Sequence, residues 1–117
     1  MTIEELVRDW FAKWESGDYL DLPLSDDFSH TSPYGTISGK EVYLEIAGSN
    51  RDKFLGNEFE FHDEIFEGER ACIRYKITNP AFAMEVTEWL YAENGLLKEI
   101  VSYYNVDQGP LTLDKDQ

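Results

Sequence analysis

The sequence is poor in cysteine, in basic residues and in long apolar runs. Its 117 residues include one cysteine, Cys72, which excludes an internal disulfide and leads us to expect a reducing, cytoplasmic location. Ten basic residues against 24 acidic ones give a formal charge of -14, which disfavours nucleic acid and anionic membranes as partners. No apolar run approaches the roughly 20 residues of a membrane span, and we expect no signal peptide.

Motifs for cofactors, metals and covalent nucleophiles are lacking too. The sequence has no Gly-rich phosphate loop, no Ser-x-Gly nucleophile elbow and no Cys–His pairing. Its two histidines, His30 and His62, have no third residue at metal-ligand spacing. We therefore expect neither a cofactor nor a metal.

Large apolar side chains, in contrast, are plentiful. Hydrophobic residues make up 42% of the chain and aromatic residues 15%, which is enough for one sizeable core. We find no internal repeat and no linker. The sequence therefore predicts one domain over residues 1–107, followed by a polar C-terminal tail at 108–117.

Periodicity predicts helices first and strands later. An apolar stripe at helical spacing, opened by a capping box of Thr2 with Glu5, predicts a helix that ends near Gly17. A strand at 27–32, a Pro-Tyr-Gly turn and a second helix follow, and four strands are then predicted at 57–67, 70–79, 81–93 and 96–107. This order predicts an α+β fold with helices on one side of an antiparallel sheet.

The pair Asn94-Gly95 predicts a two-residue type I′ hairpin. A regular ladder from that turn would place Trp89 opposite Ile100 and Thr87 opposite Ser102. It would also put these side chains on one face, together with Glu85 and Tyr104. Both faces of the hairpin mix apolar and polar residues, so we expect helices to cover one face and a second subunit to cover the other.

The chain resembles the NTF2-like superfamily, and in particular its SnoaL-like branch. The resemblance rests on the order of three stretches over about residues 2–107: WESGDYLDL, then DDFSHTSPYGTISGKEVYLEI, then EWLYAENGLLKEIVSYYN. It implies a curved antiparallel sheet wrapped around a long N-terminal helix, forming a cone-shaped α+β barrel with a pocket at its open end. It also implies homodimers through the outer sheet face.

The resemblance extends to ketosteroid isomerases, which use an Asp base with Tyr and neutral Asp donors; this enzyme is a worked case of pKa tuning. The matching positions here are Trp10, Ser32 and Thr87, so all three groups are replaced and that mechanism is not expected. The same alignment directs a set of side chains into the cone: Trp10, Ser32, Thr87, Ile100, Ser102 and Tyr104.

Two candidates for proton transfer are His30 and Glu85. His30 shares its predicted strand face with Ser32, and an imidazole suits general acid–base work, although a hydrogen-bonded strand histidine is the alternative. Glu85 in an apolar pocket would have a raised pKa, whereas at the rim it would be solvated. Three aromatic side chains are predicted to complete the lining of a ligand site: Trp14, Tyr43 and Trp89.

These features predict a small-molecule-binding protein for an apolar or aromatic ligand, with any chemistry being cofactor-free acid–base catalysis of the isomerase, cyclase, lyase or hydrolase type. The alternative is a non-catalytic ligand-binding or dimerisation module. A cavity of roughly 300 Å³ or more with His30 on its wall would favour the ligand hypotheses, whereas a cone packed solid would remove them.

Overall fold

The computed structural model describes residues 1–106, so Asp107 and the predicted tail at 108–117 lie outside the described residues. Two helices, α1 (Ile3–Ser16) and α2 (Lys40–Ser49), are each followed by a short 3₁₀ turn, at Tyr19–Asp21 and Arg51–Phe54. The six strands are β1 (Leu24–Ser32), β2 (Gly35–Ser38), β3 (Glu58–Glu67), β4 (Arg70–Thr78), β5 (Ala83–Glu93) and β6 (Leu96–Tyr103).

The strands form one curved sheet in the order β2-β1-β6-β5-β4-β3. All neighbours are antiparallel except β1 and β6, which run parallel and lie far apart in the sequence. The predicted α+β cone fold is confirmed, with this parallel pair and the short strand β2 as additions. Within residues 1–106, no helix is long and apolar enough to cross a membrane.

The first helix forms as its local sequence predicts. The Thr2 side chain accepts a hydrogen bond from the Glu5 amide, and the Glu5 carboxylate accepts one from the Thr2 amide, which completes the capping box. Gly17 ends the helix at a φ of 88°, a conformation that glycine adopts without strain. The helix packs one face against the sheet through Ile3, Leu6, Val7, Trp10 and Phe11.

The hairpin turn is as predicted, but the ladder beyond it is not. Asn94 and Gly95 both have positive φ values, 55° and 78°, as a type I′ turn requires. Between the pairs Ala92–Leu97 and Tyr91–Glu99, however, β6 contains one extra residue, Lys98, and this bulge shifts the register. The predicted pairs Trp89–Ile100 and Thr87–Ser102 are therefore wrong. The observed pairs are Trp89–Val101, Thr87–Tyr103, Leu90–Ile100 and Glu88–Ser102.

The bulge has a packing reason. Leu97 and Ile100 are three residues apart, yet both are completely buried. In a regular strand, side chains three apart point to opposite faces, so one of the two would be exposed to solvent. The extra residue lets both face the core.

Strand β5 presents different residues to the interior from those predicted, because the prediction paired the inward-facing Ile100 and Ser102 with Trp89 and Thr87. Val86, Glu88 and Leu90 are buried on its inner face. The alternating residues lie on the outer face, and these include three predicted site residues: Glu85, Thr87 and Trp89.

Candidate functional site

One acidic side chain, Glu88, lies in the apolar interior with 4% of its surface exposed. Its Oε2 accepts a 2.6 Å hydrogen bond from the Ser102 hydroxyl and a 3.1 Å hydrogen bond from the Tyr75 hydroxyl. Its Oε1 is buried and has no hydrogen-bond partner among residues 1–106. A buried polar atom without a partner costs about 1 to 3 kcal/mol, so its presence needs an explanation.

Burial raises the pKa of the Glu88 carboxyl, because the charged form loses its hydration. The hydrogen bonds from Ser102 and Tyr75 lower that pKa, and so does the nearby Trp10 indole, without outweighing the effect of burial. No hydrogen bond of ordinary geometry joins Trp10 to Oε1, which stays unpartnered. Glu88 is therefore an acid that keeps its proton to a higher pH than a surface glutamate does.

His30 is connected to this carboxyl through Ser102. Its Nε2 lies 2.9 Å from Ser102 Oγ, and its ring meets the Tyr43 ring edge-on at 5.5 Å between centroids. The parallel pairing of β1 with β6 sets His30 opposite Ile100, and Ser102 follows two residues later on the same face. Burial lowers the pKa of His30 to about 4, so the imidazole is neutral at neutral pH.

Aromatic side chains surround this polar chain. The Trp10 ring packs 6.3 Å from Tyr43 and 6.4 Å from Phe28, and Tyr43 packs 5.0 Å from Phe28, all between centroids. Burial raises the pKa of the Tyr43 phenol, and the Glu88 carboxyl raises it further, so the phenol stays protonated. The site is a short series of hydrogen-bonding groups with largely aromatic walls.

Five of the predicted site residues contribute to this interior: Trp10, His30, Tyr43, Ile100 and Ser102.

Three others lie at its margins. The Ser32 hydroxyl accepts a hydrogen bond from the Tyr34 amide in the turn after β1. Tyr104 is half-buried, with its ring 6.2 Å from the Tyr34 ring. Trp14, also half-buried, stacks on Tyr19 further along α1.

The remaining three, Glu85, Thr87 and Trp89, lie on the outer face of β5, since they alternate with the buried Val86, Glu88 and Leu90. The bulge at Lys98 pairs the inward-facing Ile100 and Ser102 with Leu90 and Glu88 instead. Glu85 is exposed and its Oε2 lies 2.9 Å from Nε2 of His62. Trp89 stacks on Tyr91 and lies beneath the Arg70 guanidinium. The predicted placement of Thr87 and Trp89 inside the cone is wrong, whereas Glu85 follows its solvated alternative.

Two residues of the interior chain, Glu88 and Tyr75, were not predicted as site residues. A usable signal existed for Glu88, since it lies between Val86 and Leu90 in strict alternation, and an acid in an apolar series marks a buried polar group. Tyr75 likewise lies between Ile73 and Ile77, all three of which are buried.

A surface cleft of about 410 Å³ is present elsewhere. Its lining includes the outer-face residues Arg74, Glu85, Thr87 and Tyr103, and also Tyr104, but it does not include His30. This cleft therefore does not provide the cavity that was expected at His30. Within residues 1–106, no group of three or more His, Cys, Asp or Glu side chains is arranged to hold a metal ion.

The architecture is that of the NTF2-like fold, as the comparison with solved structures shows. An NTF2-like protein of unknown function from Cytophaga hutchinsonii matches with a TM-score of 0.77 at 18% identity, over 90% of this chain and 91% of that one. A protein from Kribbella flavida proposed to be a ketosteroid isomerase matches with a TM-score of 0.76 at 15% identity, over 97% and 85% of the two chains.

A SnoaL-like protein of unknown function from Burkholderia thailandensis matches with a TM-score of 0.71 at 18% identity, over 89% of this chain and 94% of that one. No protein-family model matches the sequence, and no curated protein matches it. At these identities the likeness establishes the fold and leaves the function to the site.

Proposed function

We propose that this chain is a SnoaL-like small-molecule-binding protein. Its interior site takes a small, largely apolar or aromatic molecule that carries a carbonyl or hydroxyl oxygen. The observation that carries the proposal is the buried, unpartnered Oε1 of Glu88, next to an oxygen that already accepts two hydrogen bonds. A ligand oxygen would satisfy Oε1 and remove the cost of leaving it unpaired.

The chemistry of the walls supports this ligand class. Trp10, Tyr43 and Phe28 offer apolar and aromatic surface, while the polar groups are confined to one chain of hydrogen bonds. Because burial raises the pKa of Glu88, its protonated form can donate to a ligand oxygen. Ligand sites commonly combine such apolar walls with a few placed polar groups.

Cofactor-free acid–base catalysis of the isomerase, cyclase, lyase or hydrolase type is the form of chemistry that we propose for this site. His30 is neutral near pH 7 and would accept a proton from the ligand, and Glu88 would stabilise charge on the ligand oxygen. The Kribbella flavida neighbour proposed to be a ketosteroid isomerase is consistent with this reaction class.

The second candidate is a non-catalytic ligand-binding or dimerisation module. The tight enclosure of the site favours it, since Glu88 and Ser102 are 4% and 3% exposed and a ligand must displace side chains to reach them. His30 is only partly buried, so its side of the site is the more accessible one.

We also propose a cytoplasmic homodimer that forms through the outer sheet face. Register pairing aligns an apolar row across four strands of that face, made of Ile65, Cys72, Trp89 and Val101. Ile65 is 62% exposed, although it is a large aliphatic side chain. A second copy packed on this row would remove it from water.

Matched ligand pairs test the binding proposal. In a thermal-shift screen, small aromatic ketones should raise the melting temperature of the protein more than hydrocarbons of the same shape. Glu88→Leu should abolish the difference within each pair, whereas the outer-face control Glu85→Gln should keep it. Equal shifts for ketone and hydrocarbon in the wild-type protein would overturn the proposal.

A further inference from the structure

The hydrogen bonds that join His30, Ser102 and Glu88 have a direction, and one hydroxyl decides it. Ser102 has a single proton to donate and two partners at its Oγ, namely Glu88 Oε2 at 2.6 Å and His30 Nε2 at 2.9 Å. The partner that does not receive this proton must donate one of its own. The direction of these hydrogen bonds therefore determines which nitrogen of His30 carries hydrogen.

The surroundings of Glu88 show which way the proton points. Oε2 is approached by two hydroxyls, those of Ser102 and Tyr75, whereas Oε1 has no partner among residues 1–106. Burial raises the pKa of Tyr75 well above its usual value, so its phenol remains a donor. An oxygen that accepts from two hydroxyls is the unprotonated one, and any proton on Glu88 is therefore held by Oε1. This holds because Ser102 donates to Oε2, which is the direction that the hydrogen-bond geometry assigns.

We propose that Glu88, acting through Ser102, holds His30 as the tautomer with hydrogen on Nε2 and leaves Nδ1 as the unprotonated nitrogen. Ser102 accepts from Nε2 because its own proton is already committed to Oε2. Glu88 and Ser102 are thus positioning residues for the imidazole. This role deepens the proposed function. The tautomer itself does not depend on that function, but its consequence rests on it: Nδ1 is the atom that would take the ligand proton.

The proton transfer balances without further groups. A ligand proton taken up by Nδ1 stays on the imidazole, while Nε2 keeps its hydrogen and continues to donate to Ser102. The hydrogen bond that Ser102 donates to Glu88 keeps the hydroxyl oxygen pointed at the imidazole, and this stabilises the new positive charge on His30. Return of the Nδ1 proton to the ligand restores the starting state.

Proton–nitrogen NMR on the ligand-free, nitrogen-15-labelled protein at about pH 7 tests the proposal. The chain has two histidines, so His62→Asn assigns the His30 ring signals, and His62 serves as an internal reference. A pKa near 4 keeps His30 neutral at this pH, where the tautomers have distinct nitrogen shifts. The wild-type protein should show the Nε2–H form alone.

Two variants interrupt the hydrogen bonds between His30, Ser102 and Glu88 at different residues. Ser102→Ala removes the hydroxyl, and Glu88→Leu removes the acceptor while filling its volume with apolar atoms. In each, the Nδ1–H form should become detectable, whereas the control Ser25→Ala, whose hydroxyl binds Asp27, should leave the His30 signals unchanged. Backbone amide spectra establish that each variant is folded.

A dominant Nδ1–H form in the wild-type protein would overturn the proposal. So would an unchanged Nε2–H fraction in both Ser102→Ala and Glu88→Leu. The measurement needs no ligand, so a failed ligand screen and a failed tautomer assignment are separate outcomes.

Discussion

Ser102 on β6 lies directly opposite Glu88 on β5, and its hydroxyl donates a 2.6 Å hydrogen bond to the buried carboxyl. The pairing depends on the extra residue Lys98, which shifts the ladder by one residue beyond the hairpin turn. Without that shift Ser102 would oppose Thr87, and Glu88 would face away from it. The polar chain of the interior is thus a consequence of one β-bulge.

His30→Asn should reveal a pH-dependent contribution to stability. The folded pKa of His30, about 4, lies below its ordinary 6.5, so its contribution is fully present above pH 6.5 and is lost as the pH falls towards 4. The difference between 6.5 and about 4 corresponds to roughly 3.5 kcal/mol at about 1.4 kcal/mol per pH unit.

In urea unfolding, the stability advantage of the wild-type protein over His30→Asn should shrink by about 2 kcal/mol between about pH 7.5 and 4.5. The control is the variant His62→Asn, which replaces the other histidine. An advantage that stays constant over this range would show that His30 titrates normally.

Glu88→Gln should have the opposite pH dependence. Burial raises the folded pKa of Glu88, so its contribution to stability is fully present below pH 4.5 and is lost as the pH rises through the folded pKa. The variant does not titrate, and it should therefore gain stability relative to the wild-type protein on going from about pH 4.5 to 8, by about 1.4 kcal/mol for each unit of pKa elevation. Chemical denaturation at the two pH values measures this gain, and a loss instead would mean that Glu88 is stabilised as a carboxylate.

Trp10→Ala should destabilise the protein more than Trp14→Ala. Trp10 is 4% exposed and packs against Trp14, Phe28 and Tyr43, whereas Trp14 is half-buried. The expected cost is about 3 to 5 kcal/mol for Trp10→Ala and clearly less for Trp14→Ala. Equilibrium unfolding of the two variants measures this order, and an equal or larger cost for Trp14→Ala would contradict it.

Val101→Arg should disrupt the proposed dimer. Val101 lies in the apolar row of the outer face, beside Trp89, where an unpaired charge in an interface would be costly. Light scattering should give the mass of a dimer for the wild-type protein and that of a monomer for the variant. The expected interface buries roughly 1,200 to 2,000 Å² in total. The exposed helix variant Glu15→Arg should remain dimeric. A wild-type monomer at micromolar concentration would disprove the assembly.

Local sequence patterns determined the elements and their order. The stripe and capping box of α1, the turn at Asn94-Gly95 and the positions of β3 to β6 depend on residues close together in the chain. Their backbone preferences therefore do not depend on tertiary contacts. The resemblance to NTF2-like proteins added the sheet's curvature and its wrapping around α1.

Only the tertiary structure decided which side chains meet in the interior. Strand side chains alternate, so the one-residue shift at Lys98 was enough to turn Ile100 and Ser102 to the face of Leu90 and Glu88, away from the face that carries Glu85, Thr87 and Trp89. That shift exists because Leu97 and Ile100 must both be buried, a requirement set by the packed core and not by the turn. Strand alternation put His30 on the same face as Ser32, and the resemblance directed that face inward. The parallel pairing of β1 with β6, formed between distant parts of the chain, placed His30 within 2.9 Å of Ser102.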